Sequence, residues 1–260
     1  MKILVCLTRV PYPLNKGDKL RAFNQIKELS KTNDIYLFCL NNSKVEKQTI
    51  DILSKYCKEI HIENISKISS CINILKSIFT KMPLQVAFYT KKSAIKTFVN
   101  VFEKVNPDVS YFQFIRTGEY IKKIQGKKVL DFQDCLSMNM ERRGKVSKGV
   151  LRYVLLKEAK RLQRYEDDMF RMVSKTTIIA KPDRDNIRSK HKDEIEIVGN
   201  GVGEEYFSYP NNNNKEFDII FSGNMSYAPN VLAAKFLIKE VMPIVWKKNP
   251  MAKIVIAGSS

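Results

Sequence analysis

A chain of 260 residues can bury one large core or two moderate ones, and its composition, 44% hydrophobic and 10% aromatic, excludes a disordered polymer. The 45 Lys and Arg against 27 Asp and Glu leave a net charge of +18, but the lysines run along the whole chain. No nucleic-acid motif accompanies them, so no nucleic acid is expected as a partner, whereas peripheral attraction to anionic lipid headgroups needs charge alone and stays open.

Apolar, β-branched runs alternate with amphipathic stretches from the start. Met1–Thr8 is too short for a secretory signal and runs into Arg9 without a small-residue cleavage site, so it reads as a buried strand, Ile3–Leu7. A turn-rich loop to Gly17 follows, then a helix from about Asp18 with Leu20, Phe23, Ile26 and Leu29 on one face. A strand at Ile35–Leu40, a helix at Lys44–Tyr56 and a short strand at Ile60–Ile62 come next, and then helices near Lys67–Thr80 and Lys91–Val105. Cys71–Phe79 is interrupted by Asn73 and Lys76 and cannot span a bilayer. Strands are expected at Val109–Phe114 and Lys128–Phe132, a long helix over Leu151–Val173 carrying Leu151, Leu155, Ala159, Leu162, Met169 and Val173 at helical spacing, and short strands at Thr176–Ile179 and Ile195–Val198 around a helix begun by Pro182. Strands separated by helices imply parallel crossovers and a doubly wound sheet.

The asparagine run Asn211–Asn214 with Lys215 cannot pack a core and marks an exposed linker. Beyond it the pattern restarts with a strand at Asp218–Ser222, a loop, a helix over Asn230–Lys248 bearing Val231, Ala234, Ile238, Val241 and Val245, and a strand at Lys253–Ala257. The expected division is therefore residues 1–200, a hinge over 201–217, and the opening of a second domain over 218–260. Five scattered cysteines without a C-x-x-C pair, and two histidines without a second ligand at suitable spacing, predict neither a disulfide framework nor a metal site. A cytoplasmic protein is expected, with room for peripheral contact at the inner face of the membrane.

Chemistry should gather where strands give way to helices. Gly17 allows close backbone approach to a ligand, and the helix beginning beside it offers free N–H groups to an anion. Asp18 reads equally as a site residue or as the cap of that helix, and Arg21 as an anion contact or a solvated first-turn residue. Asp131 and Asp134 stand at a strand end, where they are either functional or simply cap or surface it. Asn200–Gly201 is a good turn dipeptide, and Tyr165–Glu166 reads as packing plus a helix-surface charge. Gly223 precedes a helix begun by Pro229–Asn230, a place where a diphosphate can meet the positive end of a helix.

Five segments, in order, resemble a bacterial group of family 4-like glycosyltransferases associated with exopolysaccharide and sugar-transfer systems. They are R-x-P-Y-P-x-x-x-G-D-x-x-R from Arg9 to Arg21, D-x-x-D-x-x-S from Asp131 to Ser137, Tyr165–Glu166, the Asn200–Gly201–Val202 hinge segment, and F-x-G-x-M-x-Y-x-P-N from Phe221 to Asn230. Gly203 stands where the hinge segment usually has Asp. The resemblance implies a GT-B fold, a Rossmann-like parallel-sheet domain followed by the start of a second Rossmann-like domain. It implies a retaining transfer from a nucleotide-diphosphate sugar, held near Gly223 and Asn224, to a glycan or lipid-linked acceptor on the first domain, in the cleft between domains. No cofactor and no metal is implied. Asp18 and Asp134 are the expected catalytic candidates, with Gly17, Arg21 and Asn200 as further donor or anion contacts. The group's glutamate-bearing E-x7-E segment belongs to the second domain, and no such pair occurs in residues 218–260, so weak donor binding is expected. The competing expectation is a non-catalytic relative, cut short at its carboxyl end, that binds an acceptor or a partner.

Overall fold

The computed structural model describes residues 1–208 and 215–258. Its first compact unit, Met1–Gly201, is built on seven parallel strands. They are β1 (Lys2–Leu7), β2 (Asp34–Asn41), β3 (Glu59–Asn64), β4 (Val109–Gln113), β5 (Lys128–Asp131), β6 (Lys175–Ile178) and β7 (Glu196–Ile197), in the spatial order β3-β2-β1-β4-β5-β6-β7. The order reverses between β1 and β4, and in an open α/β sheet the loops at such a reversal leave a crevice beyond the carboxyl ends. Register places Leu7 opposite Cys39 and Gln113 opposite Asp131, which aligns those ends.

The strands are apolar because helices cover both faces. Alternation along β1 sends Leu4 and Cys6 into one core, with Phe38, Phe98, Phe112 and Tyr120, and Ile3, Val5 and Leu7 into the other, with Phe23, Ile26 and Leu37. The Phe98 ring sits 5.1, 5.8 and 5.6 Å from those of Phe38, Phe112 and Tyr120, each edge-on. The helices are α1 (Gly17–Leu29), α2 (Lys47–Leu53), α3 (Lys67–Ile78), α4 (Leu84–Tyr89), α5 (Lys92–Val105), α6 (Gly118–Ile121), α7 (Leu136–Val146), α8 (Gly149–Phe170) and α9 (Lys181–Asn186).

Several expectations shift. Leu20 is exposed and Arg21 takes the inward position on α1, because Arg21 finds a buried partner described below. Asp18 lies in the first turn rather than capping the helix, and Lys16 occupies the cap position. The second helix covers only Lys47–Leu53. Three helices were not anticipated, α4, α6 and α7. The long helix runs Gly149–Phe170; Leu151 is exposed, and Glu158, Tyr165 and Glu166 join Leu155, Ala159, Leu162 and Met169 on its buried face. Glu166 is therefore no surface charge.

The second unit, Val202–Ser260, holds two parallel strands, β8 (Ile219–Ser222) and β9 (Ile254–Ala257). Between them the expected single helix is three pieces: α10 (Ala228–Phe236), a wider π turn over Leu237–Val241, and α11 (Met242–Lys248). Pro243 lacks an N–H and cannot continue the α ladder, which accounts for the widened turn. The lone tryptophan, Trp246, donates its Nε1–H to the Ala252 carbonyl at 2.9 Å. Asn211–Asn214, expected to be exposed, lie outside the described residues; Lys215 is exposed. No described helix is long and apolar enough to cross a membrane.

Candidate active site at the carboxyl edge of the sheet

Asp131 ends β5 with no exposed surface, and a buried carboxylate persists only where its charge is matched. Arg21 supplies the match, its Nε donating to Asp131 Oδ2 at 2.8 Å. The Tyr111 hydroxyl donates to the same oxygen at 2.8 Å, and the Gln133 backbone N–H to Oδ1 at 3.2 Å. Burial and the Asp131 charge hold the Tyr111 pKa well above its ordinary value, so it remains a donor. Arg21 Nη1 donates to Asn200 Oδ1 at 2.9 Å, tying α1 to the segment after β7.

Backbone strain accompanies this cluster. Phe114, directly after β4, and Gln133, two residues after β5, hold φ values of 65° and 62°. For side chains with a Cβ such conformations are costly and collect at functional sites. Next along the loop, Asp134 has its pKa raised from 3.8 to about 6, by burial first, with the Arg116 charge opposing and Asp183 adding to the rise. A carboxyl poised there can take or give a proton near neutral pH. Its Oδ2 accepts from Asn139 Nδ2 at 3.3 Å. Arg116 is held by Gln85 at 2.8 and 3.1 Å and lies 4.8 Å over the Phe114 ring.

Among the described residues, four buried side-chain polar atoms find no partner in the protein: Thr8 Oγ1, Arg21 Nη2, Gln133 Nε2 and Asp134 Oδ1. Thr8 follows β1, Gln133 and Asp134 follow β5, and Arg21 reaches the last residue of β5. All four lie at the carboxyl edge of one sheet. Each unsatisfied group costs about 1–3 kcal/mol, so their concentration on one edge points to the polar atoms of a ligand. Between the loops after β1 and β2 lies a cavity of about 230 Å³, with Thr8, Tyr12, Arg9, Lys16, Lys19 and Lys44 in its wall and Glu46 as its one acid. Burial, then the charges of Arg9 and Lys16, push the Lys19 pKa down.

The residues singled out from the sequence fall in two groups. Asp18 pairs with Arg9 at 3.1 Å, and its carbonyl accepts from Gln113 Nε2 at 3.2 Å, so Asp18, Arg21, Asp134 and Asn200 all belong to the first unit's carboxyl edge. Arg21 is buried rather than solvated. Gly17 is exposed, and a Cβ there would meet nothing within 4 Å, so no protein neighbour requires a glycine. Gly223 and Asn224 lie in the second unit. A Cβ on Gly223 would come 2.9 Å from Asn230 Nδ2, which itself donates to the Asn224 carbonyl at 3.0 Å. Asn224 Oδ1 accepts from the Ser226 N–H and hydroxyl at 2.8 and 2.6 Å, shaping the loop that leads into α10. Among the described residues no group of three or more His, Cys, Asp or Glu is placed to hold a metal ion.

Thr8, Tyr111, Gln133 and Arg116 were not picked out from the sequence. Polar residues closing an otherwise apolar strand, as Tyr111 and Gln113 do in Val109–Gln113, were the available signal.

No family model matches the chain. An "Uncharacterized 44.6 kDa protein in cps region" of Klebsiella pneumoniae is 23% identical over 277 residues, covering all of this chain, which spans 65% of that relative's length. Among solved structures, sucrose-phosphate synthase from Thermosynechococcus elongatus superposes with a TM-score of 0.58 at 8% identity, over 100% of this chain and 71% of that one. The structure named "Trehalose-6-phosphate from E. coli bound with UDP-2-fluoro glucose" gives 0.52 at 12% identity, over 98% of this chain and 64% of that one. At such identities the likeness is one of fold, and the fold is the α/β architecture of GT-B glycosyltransferases.

Proposed function

We propose that this chain moves a sugar from a nucleotide-diphosphate-sugar donor to a glycan or lipid-linked acceptor in cell-envelope or exopolysaccharide synthesis. One observation carries the reading: four unpartnered buried polar atoms gather at the carboxyl edge of a GT-B parallel sheet, beside its topological reversal. The five ordered motifs support the same chemistry, and the E. coli neighbour is named as bound to a UDP-sugar analogue.

On this reading the acceptor sits on the first unit. The cations Arg9, Lys16, Lys19 and Lys44 suit an acceptor that carries phosphate. Asp134, with a pKa of about 6, takes the proton of the attacking hydroxyl. Asp18 orients a sugar or acceptor hydroxyl, and Arg21 Nη2 offers its free N–H to an anionic oxygen. In the second unit the donor's diphosphate rests against the Gly223–Asn224 loop, where α10 presents its positive end and meets the leaving group's charge without a metal. The outcome at the sugar is retention, as in the resembling group.

The test is transfer from a panel of UDP-, GDP- and dTDP-hexoses to a bacterial lipid extract, at about 10 mM donor so that weak affinity does not mask turnover. Wild type should yield a glycosylated product by mass spectrometry. Asp134→Asn should lower kcat by about 10²–10⁴-fold with donor KM little changed. Binding of acceptor without transfer from any donor would favour the non-catalytic reading instead.

A further inference from the structure

Helix α3 is built inside out. Three polar side chains face the protein: Ser70 is 1% exposed and donates to the Phe88 carbonyl at 2.8 Å, Asn73 donates to the Thr90 carbonyl, and Ser77 is buried. Its apolar side chains face outward: Ile68 is 75% exposed, Leu75 61% and Phe79, at its end, 92%. At 3.6 residues per turn Ile68, Ile72, Leu75 and Phe79 fall within about 60° of arc, one continuous stripe. Exposing such a stripe is unfavourable in water, and nothing in the first unit covers it.

The start of α8 extends the stripe. Val150 and Val154 are exposed at one helical spacing, followed on the same face by Lys157 and Arg161, and Arg161 Nη2 donates to the Ile78 carbonyl at 2.8 Å. Glu158 closes the same junction, its two carboxylate oxygens accepting from the Leu84 and Gln85 N–H groups at 3.0 and 3.1 Å. Arg161 thus ties the face of α8 that carries Val150 and Val154 to the end of α3.

Charge identifies what this face meets. Residues 64–102 contain no Asp or Glu and six Lys, among them Lys67, Lys76 and Lys81 beside the stripe. Residues 142–157 likewise contain no acid and six Lys or Arg. Apolar side chains rimmed by long cationic ones fit a surface that is anionic outside and hydrocarbon beneath, because lysine stems can lie along the apolar zone while their ammonium groups reach the phosphates.

We propose that the outward face of α3, continued by the start of α8, is a docking surface for an anionic lipid bilayer. Phe79, Leu75 and Ile72 enter the boundary between headgroups and acyl chains, and the flanking lysines bind the headgroups. This stands independently of the transferase reading, since it uses none of the residues at the sheet's carboxyl edge.

Co-sedimentation of the full chain with vesicles tests it. Vesicles of phosphatidylcholine with about one-third phosphatidylglycerol should bind at least about tenfold more tightly than phosphatidylcholine alone. The double variant Leu75→Ser/Phe79→Ser should lose about tenfold or more of that binding, with an unchanged melting temperature because both side chains are already exposed. Cys71 on α3 is exposed while Cys6, Cys39, Cys57 and Cys135 are buried, so a polarity-sensitive thiol dye placed there should shift to the blue with the anionic vesicles only. Equal vesicle binding by wild type and double variant overturns the proposal. So does absence of vesicle binding, or a soluble dimer that the same two substitutions dissociate while no vesicles are bound.

Discussion

Asp131 and Glu166 are both carboxylates with almost no exposed surface, yet their surroundings differ. Asp131 meets a guanidinium. Removing that partner leaves an uncompensated buried charge, so Arg21→Met should destabilise the protein by about 3–5 kcal/mol, and Arg21→Met/Asp131→Leu should recover much of the loss. Urea denaturation of the three variants checks this; a double variant as unstable as the single would show that the pair contributes through more than its charges. Glu166 meets only Ser137, accepting from its N–H at 3.0 Å and sharing a 2.7 Å bond with its hydroxyl. Burial outweighs those bonds and raises the Glu166 pKa from 4.5 to about 7. A carboxyl with a raised folded pKa holds its proton more tightly when folded, so its stabilising contribution is complete below the unfolded value and disappears as pH climbs to the folded one. For Glu166 that window is 4.5 to about 7, and for Asp134 it is 3.8 to about 6. Glu166→Gln keeps both hydrogen bonds without a charge. It should match wild type near pH 5 and exceed it by about 1–3 kcal/mol at pH 8; an advantage that does not grow with pH would acquit Glu166.

The elements show where a linear reading succeeds and where it stops. All seven strands expected in the first unit are present within a residue or two, the central ones legible because parallel strands covered on both faces must be apolar runs. Short helices such as α4 carry no full period of pattern to detect. Its start is fixed instead by Glu158, 74 residues away from Leu84 in sequence. Glu158→Ala should therefore cost about 1–3 kcal/mol and raise hydrogen exchange across Leu84–Tyr89 more than elsewhere. On α1 periodicity turned Leu20 inward with Phe23 and Ile26; those two are buried, but Arg21 lies inside in place of Leu20, held by Asp131 at a separation of 110 positions. Of the motif segments, Tyr165–Glu166 lies within α8 and the others lie at or beside strand ends. They could not reveal Thr8 Oγ1 or Gln133 Nε2 as unpartnered, since burial without a partner is a property of packing.

At the scale of the whole molecule the two units differ in how much they enclose. The first has two cores around one sheet, while the described second unit has two strands, with Ile220, Leu232, Phe236 and Ile244 exposed. On the proposed reading its described donor contacts are one loop and one helix start. Calorimetric titration with nucleotide sugars should accordingly give a Kd of roughly millimolar or weaker; micromolar, saturable binding would show that these features suffice for a donor. Trp246 adds an optical consequence. It is the sole indole in the chain and belongs to the second unit, whereas Tyr111, Tyr120 and Tyr165 lie in the first. Excited at the red edge of its absorption, the protein emits from the smaller unit alone, while far-ultraviolet circular dichroism is dominated by the seven strands and nine helices of the larger one. Along a urea gradient the emission should change first and the dichroism later, so a single sample carries two separable clocks of unfolding.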